Sequence, residues 1–170
     1  MNKGIGAGGY MTNKNGLLYE TFTDLSEYLT ILRIQQFSQE IIFKLCPEKK
    51  FIRTKQSNFL KYMDKFIDKK IEKGHGCKNP DECYIDLNLK NIFIIEKKFQ
   101  QVPGSACEKI QSPDFKIWQY NRMFPKFKII YIYCLSEWFK QNCKAEIEYL
   151  NYKQIPVFIG NSKTYKEDII

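Results

Sequence analysis

The chain has 170 residues, 44% of them hydrophobic and 15% aromatic, which is apolar mass for the core of one domain. Lysine and arginine outnumber aspartate and glutamate by 27 to 19, and the net charge of +8 favours a polyanionic partner, nucleic acid before an anionic membrane surface. The longest wholly apolar run, Ile129 to Leu135, falls far short of the roughly 20 residues that cross a bilayer, so no membrane partner is expected.

Residues 1–16 are rich in Gly and Asn and hold no apolar signal core. With no Asn-x-Ser/Thr acceptor in the chain, the expected location is intracellular: cytoplasmic or, for a viral chain, in the virion or host cell. The segment reads as an arm in which Thr12, Asn13, Lys14 and Asn15 touch phosphates or base edges, or else as an unstructured terminus. Gly4, Gly6 and Gly9 match GxGxxG, but a dinucleotide fingerprint must follow a strand, and no strand fits before Gly4. No nucleotide cofactor is expected. Leu18, Phe22, Leu25, Leu29 and Leu32 recur at spacings of three and four, which predicts a helix over 17–32 with one buried face. A second helical stretch is predicted over 35–45 and a short strand over 50–54. A clearer helix covers 58–72, where Phe59, Leu60, Met63, Phe66, Ile67 and Ile71 form a stripe, with Gly74 ending it.

Pro80-Asp81 then leads a strand over 82–86, a turn over 87–91 and the β-prone run Ile92 to Lys98, which together predict a β-hairpin. Pro103-Gly104 breaks the strand. Ser105 and Glu108 have the spacing of a capping box that opens a helix toward Met123, in which Trp118, Tyr120 and Phe124 read as core rather than as a base-stacking platform. The run 128–134 suits a sheet interior, Ser136 caps a helix to about Cys143, and a late strand covers 155–159. The six cysteines are expected to be reduced, with Cys83 and Cys134 buried in strands. His75, Cys77 and Cys83 do not complete a tetrahedral zinc set, and the single histidine has no partner for nucleophilic catalysis.

The chemistry concentrates at the hairpin. Asp81 and Lys97 are equidistant from a turn centred near Leu89, so Asp81 lies opposite Glu96 to Lys98. Strand alternation sends Glu96 and Lys98 to one face and Lys97 to the other. Asp86, at the far end of the hairpin, is excluded as a partner for Glu96. Two neighbouring carboxylates repel until a divalent cation neutralises them, and oxygen-only ligands suit Mg²⁺ or Mn²⁺. A lysine beside them can orient or deprotonate an attacking water while the metal polarises a phosphoryl oxygen, which is phosphodiester hydrolysis. The plain alternative is a solvated Glu-Lys-Lys run. Against it stands the abrupt switch from Ile92–Ile95 to charge, which puts the triplet at the sheet's end, where clefts form.

Pro80-Asp81 followed fifteen residues later by Glu96-x-Lys98 resembles the PD-(D/E)XK nuclease signature. GSACEKIQ, from Gly104 to Gln111, is similar to the helix that follows it in small type II restriction endonucleases, and GAGGYMTNKNGLLYE is a less specific likeness. The resemblance spans residues 4–160 in element order and rests mainly on 79–120. It implies an α/β domain over 1–170 with a central mixed β-sheet flanked by helices, a restriction-endonuclease-like core. By the same resemblance Asp81 and Glu96 hold Mg²⁺, Lys98 serves the nucleophilic water, and Glu20 on the first helix joins them. Lys109, after Glu108, matches the family's EK pair at a helix start that would favour a phosphate, while Gln100 and Gln101 either bond substrate or are solvated. The implied function is sequence-specific cleavage of double-stranded DNA by a homodimer. A repair, junction-resolving or mobile-element nuclease of the same fold is the alternative enzyme, and a non-catalytic nucleic-acid-binding module the alternative outside catalysis.

Overall fold

Alternating apolar residues in the middle of the chain build a seven-stranded mixed sheet, which helices cover on both faces in the computed structural model, described for residues 10–67, 79–103 and 105–170. Helix α1 (Tyr10–Phe22) leads into strands β1 (Leu29–Gln35), β2 (Ser38–Phe43) and β3 (Cys46–Thr54). Helix α2 (Ser57–Phe66) precedes the hairpin of β4 (Glu82–Asp86) and β5 (Asn91–Lys98). Helix α3 (Pro113–Met123) crosses to β6 (Lys128–Leu135), followed by α4 (Glu137–Asn142), α5 (Lys144–Tyr152), β7 (Val157–Ile159) and α6 (Tyr165–Asp168). The strands lie in sequence order, antiparallel from β1 to β5 and parallel from β5 to β7. The α/β class with a mixed sheet between helices is the expected one.

Side-chain alternation divides the core. Cys83, Ile85, Ile92, Ile94 and Tyr133 pack under α2 to α5 through Phe59, Tyr120, Phe139 and Leu150. Tyr84, Ile95, Ile132 and Cys134 face the other way, under Tyr19 of α1 and Tyr165 of α6. Strands β5 and β6 are buried on both faces, which is why they read as near-continuous apolar runs.

Several expected elements are corrected. The helix over 17–32 is α1 ending at Phe22 and then β1, and Leu18, Phe22 and Leu32 are exposed rather than buried. The helix stops because the Thr23 hydroxyl bonds back to Tyr19 O at 2.7 Å and Asp24 turns the chain by accepting the Ser26 N–H at 2.8 Å. The helix over 35–45 is strand β2, whose Ile41 and Phe43 are buried as an alternating pair, and the tight turn before it puts Phe37 at φ 69°. Lys14 and Asn15 lie in α1 rather than in an arm, as does the backbone of Asn13. Residues 1–9, His75 and Cys77 lie outside the described residues. The capping box at Ser105 and Glu108 makes no cap: Cys107–Ile110 form one 3-10 turn, and the helix starts afresh at Pro113, where a fixed φ suits the first turn. Cys107 and Cys143 are joined in a disulfide, against the expected reduced state, because that 3-10 turn crosses the α4–α5 corner; Cys46, Cys83 and Cys134 are free thiols.

One glycine locks α1 to the sheet. A methyl group on Gly160 would stand 2.5 Å from Thr23 Cγ2 and 2.9 Å from Cys134 Sγ, and closer still to the Tyr19 hydroxyl. Gly160→Ala is therefore expected to cost about 1–3 kcal/mol by overpacking, read as a lower denaturation midpoint with an unchanged slope.

Candidate active site

The hairpin register decides the geometry. Glu82 pairs with Ile95 and Asp86 with Asn91, so Asp81, one residue before β4, stands level with Glu96. The expected opposition is there. Asp81 Oδ2 accepts the Lys97 backbone N–H at 2.7 Å, fixing the carboxylate against the end of β5. Asp86 caps its own turn by accepting the Asn88 and Leu89 N–H groups at 2.9 Å each, which satisfies it away from the site.

Glu96 is buried on the α3 side. Its Oε1 lies 2.5 Å from Lys98 Nζ and 3.2 Å from Lys116 Nζ, a lysine that reaches in from α3. Lys116 also stands 5.7 Å from the Tyr131 ring and 5.8 Å from the Tyr133 ring, so aromatic faces support its ammonium. Burial alone would raise the Glu96 carboxyl; Lys98 and Lys116 overcome that and hold it below the ordinary value. Asp81 goes the other way. Burial, and then the charge of Glu96, push it up to about 6, with Glu20 adding to the rise while the Lys97 N–H and Lys98 oppose it. Burial and the same glutamate charge push the Tyr131 and Tyr133 phenols up, which keeps both protonated.

Lys97 points to the opposite face, as strand alternation requires. Its Nζ pairs with Glu82 Oε2 at 2.8 Å and donates to Glu20 O at 3.2 Å, in the last turn of α1. Glu82 is wholly buried and its Oε1 takes Arg53 Nη2 at 3.0 Å and the Tyr84 hydroxyl at 2.6 Å. Arg53 continues to Asp24 Oδ1 at 2.8 Å. Burial raises the Asp24 carboxyl, but Lys55, Ser26 and Arg53 outweigh it and hold the group far below the usual range. One ion network thus ties α1, β3, β4 and β5 together beneath the acids. Lys97 links them: its N–H positions Asp81 and its side chain positions the α1 turn that carries Glu20.

Glu20, Asp24, Lys55, Asp81, Lys97 and Lys166 line a cleft of about 590 Å³ between α1 and the sheet's end. Asp81 feels the charges of Glu96, Lys98 and Glu20, so it stands between the expected strand residues and the expected helix residue. The oxygens of Glu20, Asp81 and Glu96 do not, however, all lie within 4.8 Å of one another: among the described residues the trio of acid, thiol or imidazole donors that meets this distance is Cys107, Cys143 and Glu146, two of them spent in the disulfide. Glu96 is paired with its two lysines. Buried Glu96 and partly buried Asp81, which resists ionisation first through desolvation and then through Glu96, are oxygen donors of the kind that fits Mg²⁺ or Mn²⁺.

The remaining expected residues are not drawn in. Gln101 and Lys109 are exposed, the latter on the 3-10 turn rather than at a helix start. The Gln100 side chain bonds Val102 O at 2.7 Å, and its backbone is tied both ways to Ser136 Oγ, which therefore does not cap α4. Lys14 is exposed on α1. Sequence reasoning misses Lys116, although it stands one turn before the buried Tyr120 and Phe124 on the same helical ridge, where a lysine is out of place unless paired. It also misses Glu82, whose signal is a carboxylate followed by Cys-Tyr-Ile in a doubly buried strand.

Compared with family models, curated proteins and solved structures, the chain matches none. The class defined by its fold is α/β, with a mixed sheet carrying an acid and lysine cluster at one end. Among the described residues no helix is long and apolar enough to cross a membrane.

Proposed function

We propose that the chain is a Mg²⁺-dependent endonuclease that hydrolyses DNA phosphodiester bonds, of the PD-(D/E)XK kind and with a restriction-endonuclease-like core, acting inside a cell as a homodimer on duplex DNA. The observation that carries this is the pair of acids at the end of one hairpin: Asp81, raised to about 6 by burial and by Glu96, beside Glu96 and Lys98 on the next strand. Asp81 and Glu96 are the metal-holding carboxylates, and Glu20 stands on the cleft wall to join them. Bound Mg²⁺ supplies Lewis-acid polarisation of a phosphoryl oxygen. Lys98 would orient the attacking water, or neutralise charge on the phosphate. Lys116, the second ammonium on Glu96, would add positive charge for the substrate phosphate. A net charge of +8 supports a nucleic-acid substrate, and symmetric cutting of two strands calls for two copies.

The test is incubation of purified protein with long DNA and Mg²⁺ beside Glu96→Ala. Cleavage by the wild type alone, with discrete sequenced ends, supports a sequence-specific enzyme; smeared products or a preference for branched DNA move the same chemistry to repair, junction resolution or mobile-element cutting. Salt-sensitive binding that ignores Asp81→Ala, with DNA left intact, would instead mean a non-catalytic binding module. Lys98→Ala and Lys116→Ala are each expected to lower the single-turnover cleavage rate about 10²- to 10³-fold, the usual effect of removing one charged group from a developing phosphorane. Equal rates in Lys116→Ala and wild type would remove that residue from the site.

A further inference from the structure

We infer that the outward face of α3 is a stacking site for an unpaired nucleobase, formed by Phe115 and Trp118 with Arg122; this deepens the nuclease reading by naming a substrate feature held on the helix that carries Lys116 to the acids. Trp118 was expected in the core, yet it is 54% exposed, and Phe115 is 59% exposed. Three residues apart on the helix, their rings stack at 5.8 Å between centroids and 23° between planes. The Arg122 guanidinium lies 5.7 Å from the indole centroid. A pair of stacked rings largely in water, with a cation over the indole, offers what a flat base with its phosphate needs: π-surface for the base and positive charge for the backbone.

Position strengthens the assignment. Lys116, next to Phe115 in sequence, reaches Glu96 from the same helix. Phe115 stands about 100° and Trp118 about 200° around the helix from Lys116, so the stacked pair lies across α3 from the acid cluster. Lys116 and Arg122 are the cations of α3, and its acid, Asp114, is already paired with Lys153 at 2.8 Å and with the Tyr149 hydroxyl at 3.0 Å. That leaves the surface suited to an anionic, planar ligand. The base could come from single-stranded or flapped DNA, or be turned out of a duplex.

The experiment measures binding in EDTA, so it is independent of whether the protein cuts. In a Trp138→Phe background Trp118 is the single tryptophan, and its emission is followed on adding oligothymidylate, a 5′-flap duplex and a fully paired duplex containing 2-aminopurine. Saturable quenching is expected with the first two. Brightening of 2-aminopurine in the third would identify a turned-out base as the source. In anisotropy with labelled oligonucleotides, Phe115→Ala and Trp118→Ala should each weaken binding about tenfold, whereas Trp118→Phe keeps most of the affinity. Both rings are exposed, so the alanine variants should melt with the wild type. Unquenched Trp118 with all three DNAs, unchanged affinity in both alanine variants, or a change in sedimentation without a change in DNA binding would overturn the inference, the last by assigning the rings to contact between two copies. If DNA is bound in this way but never cut, the stacking site stands and the nuclease reading falls.

Discussion

Glu82→Ala is expected to lower the unfolding free energy by about 3–5 kcal/mol, a larger stability loss than Gly160→Ala should cause. The carboxylate it removes is wholly buried and faces Arg53 Nη2 at 3.0 Å, Lys97 Nζ at 2.8 Å and the Tyr84 hydroxyl at 2.6 Å. Without it two cations, each nearly sealed from water, confront one another with Asp24 as the remaining acid on Arg53. The cost is set less by the lost attraction than by the charges left unpaired. Adding Lys97→Met to the alanine variant should therefore recover part of the loss, a coupling of neighbouring residues that denaturant titration of the two singles and the double would measure. In a chain of this length the single change should appear as a fall in melting temperature of about 10 °C. A variant within about 2 °C of wild type would mean that water reaches the network and the pairing is a surface one. The same change should disturb the site from below, because Lys97 holds the α1 turn bearing Glu20 through its Nζ and Asp81 through its N–H.

The parts of this molecule legible in the sequence are those whose periodicity is unambiguous. The β4–β5 hairpin, β6 and α2 follow from doubly apolar runs or a clean stripe, and from the hairpin come the opposition of Asp81 to Glu96 and the inward turn of Lys97. The N-terminal third misleads because Leu18, Phe22, Leu25, Leu29 and Leu32 satisfy a helical spacing by coincidence; what decides the structure there is the Thr23 hydroxyl and Asp24 stopping the chain, a local competition that a count of apolar residues does not see. Trp118 shows the opposite error. It reads with Tyr120 and Phe124 as a core stripe, but it stands two residues before Tyr120, about 200° around a helix, so when Tyr120 and Phe124 turn in, Trp118 turns out with Phe115. The pairing of Lys116 with Glu96 and the Cys107–Cys143 bond depend on contacts between elements far apart in sequence, which no spacing rule encodes.

Asp81→Asn is expected both to abolish Mg²⁺-dependent cleavage and, in EDTA at pH 7, to raise the melting temperature above that of wild type. The asparagine keeps an acceptor for the Lys97 N–H but removes a charge that burial, and then Glu96, disfavour. The folded protein holds the Asp81 proton to about pH 6, whereas an unfolded aspartate releases it near its ordinary value of 3.8. Because the folded state binds the proton more tightly, wild-type stability falls as pH rises from about 4 to about 6 and is level on either side, and the asparagine variant should lack that fall. A tenfold difference in proton affinity between the two states is worth about 1.4 kcal/mol; solvent in the cleft screens part of the effect, so a gain of about 1–2 kcal/mol at pH 7 is expected. Mg²⁺ should then reverse the order, stabilising wild type by mass action and leaving the variant unmoved. An Asp81→Asn protein that melts below wild type in EDTA would make this carboxylate a structural group. A wild type whose melting temperature ignores millimolar Mg²⁺ would leave the acids without the ion that their mutual repulsion calls for.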